Sequence, residues 1–231
     1  MTLEEFKKHN KLSFNNNAII EQAFIHRSFI NENPKNNLEH NERLEFLGDA
    51  VLELVVTEYL YNKYPHQNEG DLTAYRSALV NAVTLSEVAN GLMFNDMMKL
   101  SKGEAKDISR ARSSILADAY EAFVGALYID QGYEATRDFI SRTVLVKTEE
   151  IIRKGLYKDA KSFLQEKSQE IYGVTPSYKV INEEGPDHDK IFEIGVYFND
   201  DFIAKGQGKS KQEAETLAAR EALIQKKWVS D

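Results

Sequence analysis

The sequence contains no cysteine. That excludes disulfides, cysteine-ligated zinc and thiol chemistry, and it suits a reducing cytoplasm. No long apolar run is present either. The longest, Ala122–Ile129, is far short of the roughly 18 residues of a membrane span. The opening stretch MTLEEFKKHN is charged and offers no signal-peptide core; Thr2 and Glu5 read as a helix capping box. A basic excess is missing as well. The net charge is −8, divided as −7 over residues 1–150 and −1 over 151–231, so total charge does not advertise a nucleic-acid partner. None of His9, His26, His40, His66 or His188 has a glutamate three positions before it, and no His-Glu-x-x-His occurs. Di-iron bundles and zinc proteases are thereby removed. The segment GQGKSK lacks the spacing of a phosphate-binding P-loop or a dinucleotide fingerprint. Any metal must be held mainly by oxygen or imidazole.

What is present falls into two textures. From residue 1 to about 150, apolar residues recur with helical period around 18–30, 42–63, 72–92, 109–129 and 134–152. Breaks rich in Asn, Gly, Pro and Asp separate them at 31–37, 64–71, 101–107 and 130–133. This predicts an all-α domain over 1–150. A charged, glycine-containing stretch over 151–158 reads as a linker. Residues 159–231 then predict a small α+β domain of order α-β-β-β-α. Its elements are a helix over 160–173 ending at Gly173, strands SYKVINEE, IFEIGVYFN and FIAKGQGK, and a closing helix, KQEAETLAAREALIQKK. The second and third strands meet at a tight polar turn, NDD.

The chemistry lies in carboxylates on apolar helices. In NERLEFLGDAVLELVV, Leu44, Leu47, Val51, Leu54 and Val55 form a helical stripe, while Phe46, Ala50, Leu52 and Val56 make the other sides apolar. Such a helix is expected to be buried nearly all round. Yet Glu42, Glu45 and Asp49 share one face of it. A second apolar helix repeats the oddity: from Ser113 to Ile129 the only charges are Asp118 and Glu121. Gly48 and Gly125 flank these acids and permit close approach of another helix or of a ligand. Unpartnered buried carboxylates cost several kcal/mol each, on the order of the general penalty for burying charge. If the two helices face each other, four or five acids converge and require a cation. Oxygen donors suit Mg²⁺, with Mn²⁺ as a substitute, and such sites serve phosphoryl chemistry. Glu69, at a helix start, is placed as an outer supporting acid.

These residues resemble the ribonuclease III family. ERLEFLGDAVL resembles its signature, AFIHRSF its His-Arg-Ser box, EGDLTAYRSALVN its next block, and ILADAYEAFVGALYID its second acidic helix. The resemblance spans essentially the whole chain. It implies a metal-dependent endoribonuclease that cuts double-stranded RNA to 5′-phosphate and 3′-hydroxyl ends with short 3′ overhangs, in rRNA and mRNA processing and decay. By resemblance Glu45, Asp49, Asp118 and Glu121 bind metal, Asp49 and Glu121 are catalytic, and Glu42 and Glu69 support them. The family also implies a homodimer with an active site in each subunit, and Phe46 is the candidate dimer contact. The alternative is a non-catalytic regulator that grips duplex RNA without cutting it.

The C-terminal part resembles a double-stranded RNA-binding domain. Lys205, Lys209 and Lys211 cluster near the start of the last helix, where Ser210 and Glu213 form a capping box. A helix N-terminus with lysines is a phosphate site, and the narrow RNA major groove offers mainly phosphates. Gln165 and Glu166 on the first helix, and His188 in the GPDH loop, are expected to address minor grooves. One departure stands out: Gln212 and Glu215 occupy positions where the family often has lysine.

Overall fold

A computed structural model describes residues 2–106, 110–186 and 190–229. The chain divides into two compact units, Met1–Thr148 and Glu149–Asp231. No helix among the described residues is long and apolar enough to cross a membrane.

The first unit is all α. Its helices are α1 (Leu3–His9), α2 (Asn17–Ala23), α3 (Arg27–Glu32), α4 (Glu42–Lys63), α5 (Glu69–Val80), α6 (Ala82–Gly91), α7 (Phe94–Met97) and α8 (Arg110–Thr143). Polar caps start several of them. Thr2 accepts from the Glu5 amide while Glu5 reaches back to Thr2, which completes the expected capping box. Asn68 accepts from Asp71 at the head of α5, and Asn81 both ends α5 and caps α6. One continuous segment over 72–92 is therefore two helices. The break expected at 130–133 is a kink: Gly132, at φ 78°, interrupts α8 in a conformation that glycine tolerates.

The core is built around α4 and α8. Leu44, Val51, Leu52, Val55, Val56 and Leu60 of α4 are buried, as are Ile115, Leu116, Tyr120, Phe123, Val124 and Leu127 of α8. Phe6, Phe24, Phe94 and Phe139 pack around Phe123 with ring centroids 5.0–6.0 Å apart. Where α4 crosses α8 the backbones touch. A Cβ on Gly48 would lie 1.7 Å from the Glu121 carbonyl oxygen, and one on Gly125 would lie 2.2 Å from that of Leu44. The two glycines thus permit the approach of a helix, and this crossing sets the site.

One expectation is corrected. Helix α4 is not buried all round: Phe46 is 83% exposed, Leu54 58% and Tyr61 71%, with Ala50 and Thr57 exposed between them. These five fall on one stripe by helical spacing, so Leu54 belongs to a third, outward face and not to the core.

In the second unit, α9 (Thr148–Arg153) and a turn fill most of the segment read as linker. Ile151 there is buried, and the Lys158 ammonium lies 3.8 Å from the Phe163 ring centroid. Next come α10 (Ala160–Tyr172), β1 (Pro176–Glu184), β2 (Ile191–Phe198), β3 (Asp201–Gly208) and α11 (Lys211–Gln225). The sheet is antiparallel in the order β1-β2-β3. Asn199 turns the second hairpin at φ 55°, and Gly173 ends α10 at φ 68°. Both helices supply the core on one face, with Phe163, Leu164, Val196, Phe198, Ala204, Ala218 and Ala222 packed together. The small residues of α11 bring it close to the sheet: a Cβ on Gly206 would meet the Ala218 nitrogen at 2.3 Å.

Candidate active site

The helix crossing brings the acids together. Glu45 of α4 and Asp118 and Glu121 of α8 each offer a carboxylate oxygen within 4.8 Å of the others, and all three are half-buried. Burial raises the Glu121 carboxyl to a pKa of about 8, helped by the charges of Asp49, Asp118, Glu45 and Glu53. Glu45 is also raised, by burial and then by Asp118, Glu42 and Asp49. Asp118 is raised by burial and by Glu42. Asp49 is exposed, one turn on from Glu45, and its charge acts on both glutamates. The picture of uniformly buried acids is corrected accordingly: three carboxylates are half-buried, while Glu42 and Asp49 stand at the rim.

Among the described residues, no arginine or lysine forms an ion pair with Glu45, Asp118 or Glu121. Arg27 lies 3.4 Å from Glu42, and Arg76 donates to the Thr57 hydroxyl. His40 approaches Glu42 at 3.8 Å. Glu42, Glu45 and Asp118 line a cleft of about 710 Å³, together with Arg27, His26 and Glu104. Glu69 stands elsewhere in the subunit. It heads α5, accepts from the Thr73 hydroxyl at 3.4 Å, and lines another groove with Tyr61 and Arg76.

Sequence reasoning missed the brace that forms one wall of this cleft. The Ser28 hydroxyl and His26 Nδ1 are 2.8 Å apart, and Ser28 Oγ accepts the Ser101 N–H at 3.0 Å. The His26 N–H donates to the Lys99 carbonyl, and the Lys99 N–H donates to that of Phe24. This pins the segment carrying Glu104 against the start of α3. Burial lowers the His26 pKa, opposed by the charge of Glu104. Only the resemblance of AFIHRSF pointed to these residues; their partners are some 70 positions away.

In the second unit, Gln165 and Glu166 are exposed on α10, and Lys209, Ser210 and Lys211 are exposed at the start of α11. Ser210 accepts from the Glu213 amide, but Glu213 returns its bond to the Lys209 N–H, so the capping box is shifted by one residue on its return side. His188 lies outside the described residues. Lys205 parts company with the other lysines. Gly206 and Gly208 face α11, so Lys205 points to the opposite, open face of the sheet, where it pairs with Glu193 at 3.0 Å.

Comparison with known proteins agrees with both halves. A family model described as Ribonuclease-III-like matches residues 16–148, and one described as Double-stranded RNA binding motif matches residues 160–226. A curated Ribonuclease 3 of Carboxydothermus hydrogenoformans is 47% identical, covering 91% of this chain and 90% of the relative. That of Borreliella afzelii is 42% identical over 96% of this chain and 90% of its own length. Among solved structures, the nuclease domain of ribonuclease III from Campylobacter jejuni aligns with a TM-score of 0.56 at 36% identity, covering 62% of this chain and 96% of that one. That structure is described for flexibility in its region involved in dimer formation. The chain belongs to the ribonuclease III family of double-stranded RNA endoribonucleases, joining a nuclease domain to a double-stranded RNA-binding domain.

Proposed function

We propose that the chain hydrolyses phosphodiester bonds of double-stranded RNA with divalent metal, Mg²⁺ by preference and Mn²⁺ as a substitute, leaving 5′-phosphate and 3′-hydroxyl ends with short 3′ overhangs. The observation that carries this is the approach of Glu45, Asp118 and Glu121 within 4.8 Å, with no lysine or arginine paired to any of them among the described residues. Oxygen-only donors at that spacing fit a hard divalent ion. Glu45, Asp49, Asp118 and Glu121 would hold it. Bound there, the metal supplies a water nucleophile at neutral pH and offsets charge on the phosphate. By the family resemblance Glu121 is assigned to the proton of the attacking water, with Asp49 as the second catalytic acid. Glu42 supports the site from the rim. Glu69 is kept as a supporting acid at the groove it shares with Arg76.

The outward stripe of Phe46, Ala50, Leu54 and Tyr61 supports a homodimer, since a face with two apolar side chains and a tyrosine more than half exposed needs a partner of its own kind. Phe46 is its candidate contact, and two sites across one duplex would account for staggered cuts. Gln165 and Glu166, with Lys209, Ser210 and Lys211, are proposed to grip the duplex by shape, and His188 is retained from sequence alone. Lys205, on the open face of the sheet, is assigned no part in that grip. The working compartment is the cytoplasm, and the substrates are structured rRNA and mRNA precursors.

The test is cleavage of a long duplex RNA in Mg²⁺, Mn²⁺, Ca²⁺ and EDTA, with the ends of the products mapped. Cutting in Mg²⁺ and Mn²⁺ to 5′-phosphate ends is expected. Duplex binding with no cutting under any condition would replace this reading with that of a regulator.

A further inference from the structure

Lys211 is the only lysine in the first two turns of α11, and the structure gives it a partner within its own domain. Its ammonium lies 3.2 Å from the Glu183 carboxylate and 5.5 Å from the centroid of the Phe192 ring. The same carboxylate lies 3.8 Å from Lys190. The strand register explains this meeting. Glu183 of β1 pairs with Phe192 of β2, which pairs with Gly208 of β3, two residues before the Ser210 cap. A Cβ on Gly208 would meet the Ala214 nitrogen at 2.7 Å, so α11 starts in close contact with that end of the sheet. Glu183 therefore sits beneath the first turn of α11 and is shared by two lysines.

A second acid, on α11, behaves in the same way. Glu215, at a position where related domains often carry lysine, is 2.5 Å from Lys161 of α10. Lys161 and Lys211 thus each have a carboxylate partner within the domain. The Glu183–Lys211 pair is the one placed where a phosphate would arrive. Its side chains are 35% and 56% exposed, so the pair is solvated and exchangeable.

Building on the assignment of the α11 start to duplex RNA, we propose that Glu183 sets the affinity of this domain by occupying Lys211, so that RNA binding exchanges an internal ion pair for one with phosphate. An incoming phosphate meets an ammonium already paired and a carboxylate that repels it. The corner formed by Lys190, Lys211 and Glu183 then presents one net positive charge in place of two. The domain is a weak reader by construction, and duplex recognition leans on the nuclease domain for the rest of its hold.

The test is fluorescence anisotropy of the full chain on a labelled RNA duplex, with Ca²⁺ in place of Mg²⁺ and a series of salt concentrations. Glu183→Gln is expected to tighten binding about two- to five-fold, the worth of an exposed pair. The slope of log affinity against log salt should steepen by about one phosphate's share. Most of that gain should vanish in Glu183→Gln/Lys211→Gln. Weaker or equal binding by Glu183→Gln, with Lys211→Gln weakened, overturns the proposal: Glu183 then orients Lys211, and the assignment of Lys211 to RNA survives. Unchanged affinity and slope for Lys211→Gln overturn that assignment, and the proposal with it.

Discussion

Replacing Glu121 by glutamine should stabilise the metal-free protein near neutral pH. Glu121 is raised from an ordinary 4.5 to about 8, with burial as the first cause and neighbouring acids after it. A raised carboxyl favours the folded state fully below the unfolded pKa, and the advantage is lost as pH climbs towards the folded pKa. Between pH 4.5 and 7 the loss accrues at ~1.4 kcal/mol per pH unit, so the ceiling is roughly 3 kcal/mol. Because Glu121 is only half-buried, solvent screens part of this, leaving about 1–2 kcal/mol. Glutamine keeps the shape and removes the charge. The assay is urea unfolding in EDTA at pH 4.5 and pH 7, for wild type and Glu121→Gln. The difference should be small at pH 4.5 and should favour the mutant at pH 7. Added Mg²⁺ should then stabilise wild type more than the mutant, because bound cation relieves the same repulsion. If the mutant is less stable than wild type at pH 7 in EDTA, Glu121 has a stabilising partner and the repulsion account is wrong.

Three further outcomes follow from other parts of the fold. Gly48→Ala places a methyl against the Glu121 backbone carbonyl, so it should cost about 3 kcal/mol or more, at the upper end of overpacking, and remove cleavage; an unchanged urea midpoint would contradict the crossing geometry. Phe46→Glu, at an exposed position, should leave the fold intact by circular dichroism and shift the protein from dimer to monomer in light scattering. A dimer that persists at micromolar concentration would move the interface elsewhere. Gln212→Lys with Glu215→Lys should raise duplex affinity roughly ten-fold at low salt and steepen its salt dependence, since each new phosphate contact releases counterions. Equal affinity would show that those positions do not meet the backbone of the RNA.

The acid site was legible because charge on an apolar helix has a cost that needs a reason, and Gly48 and Gly125 marked where two such helices could touch. Asp49 was less so: helical spacing put it in line with Glu45 but could not tell a half-buried position from the rim. The same periodicity placed Leu54 in the core, since a helix with two apolar faces reads like one buried all round when a single chain is considered. Lys205 shows how linear proximity misleads. It lies four residues from Lys209, yet strand alternation turns it to the other face, as Ala204 and Gly206 on either side already implied. The Ser28–Ser101 brace and the Glu183–Lys211 pair were not legible, because each joins residues that only register and packing bring together.

A divalent cation is what the convergence of Glu45, Asp118 and Glu121 would hold. The most direct test of this is Mn²⁺ binding followed by electron paramagnetic resonance, for wild type and for Glu45→Gln, Asp118→Asn and Glu121→Gln, with circular dichroism confirming each fold. Tight binding by wild type that weakens about ten-fold or more in every variant is the predicted result, on the scale by which disturbing a site's ligand shell lowers metal affinity. Equal Mn²⁺ affinity in all four folded proteins would contradict it, and the cluster would then be a set of strained carboxylates with no cation to relieve them.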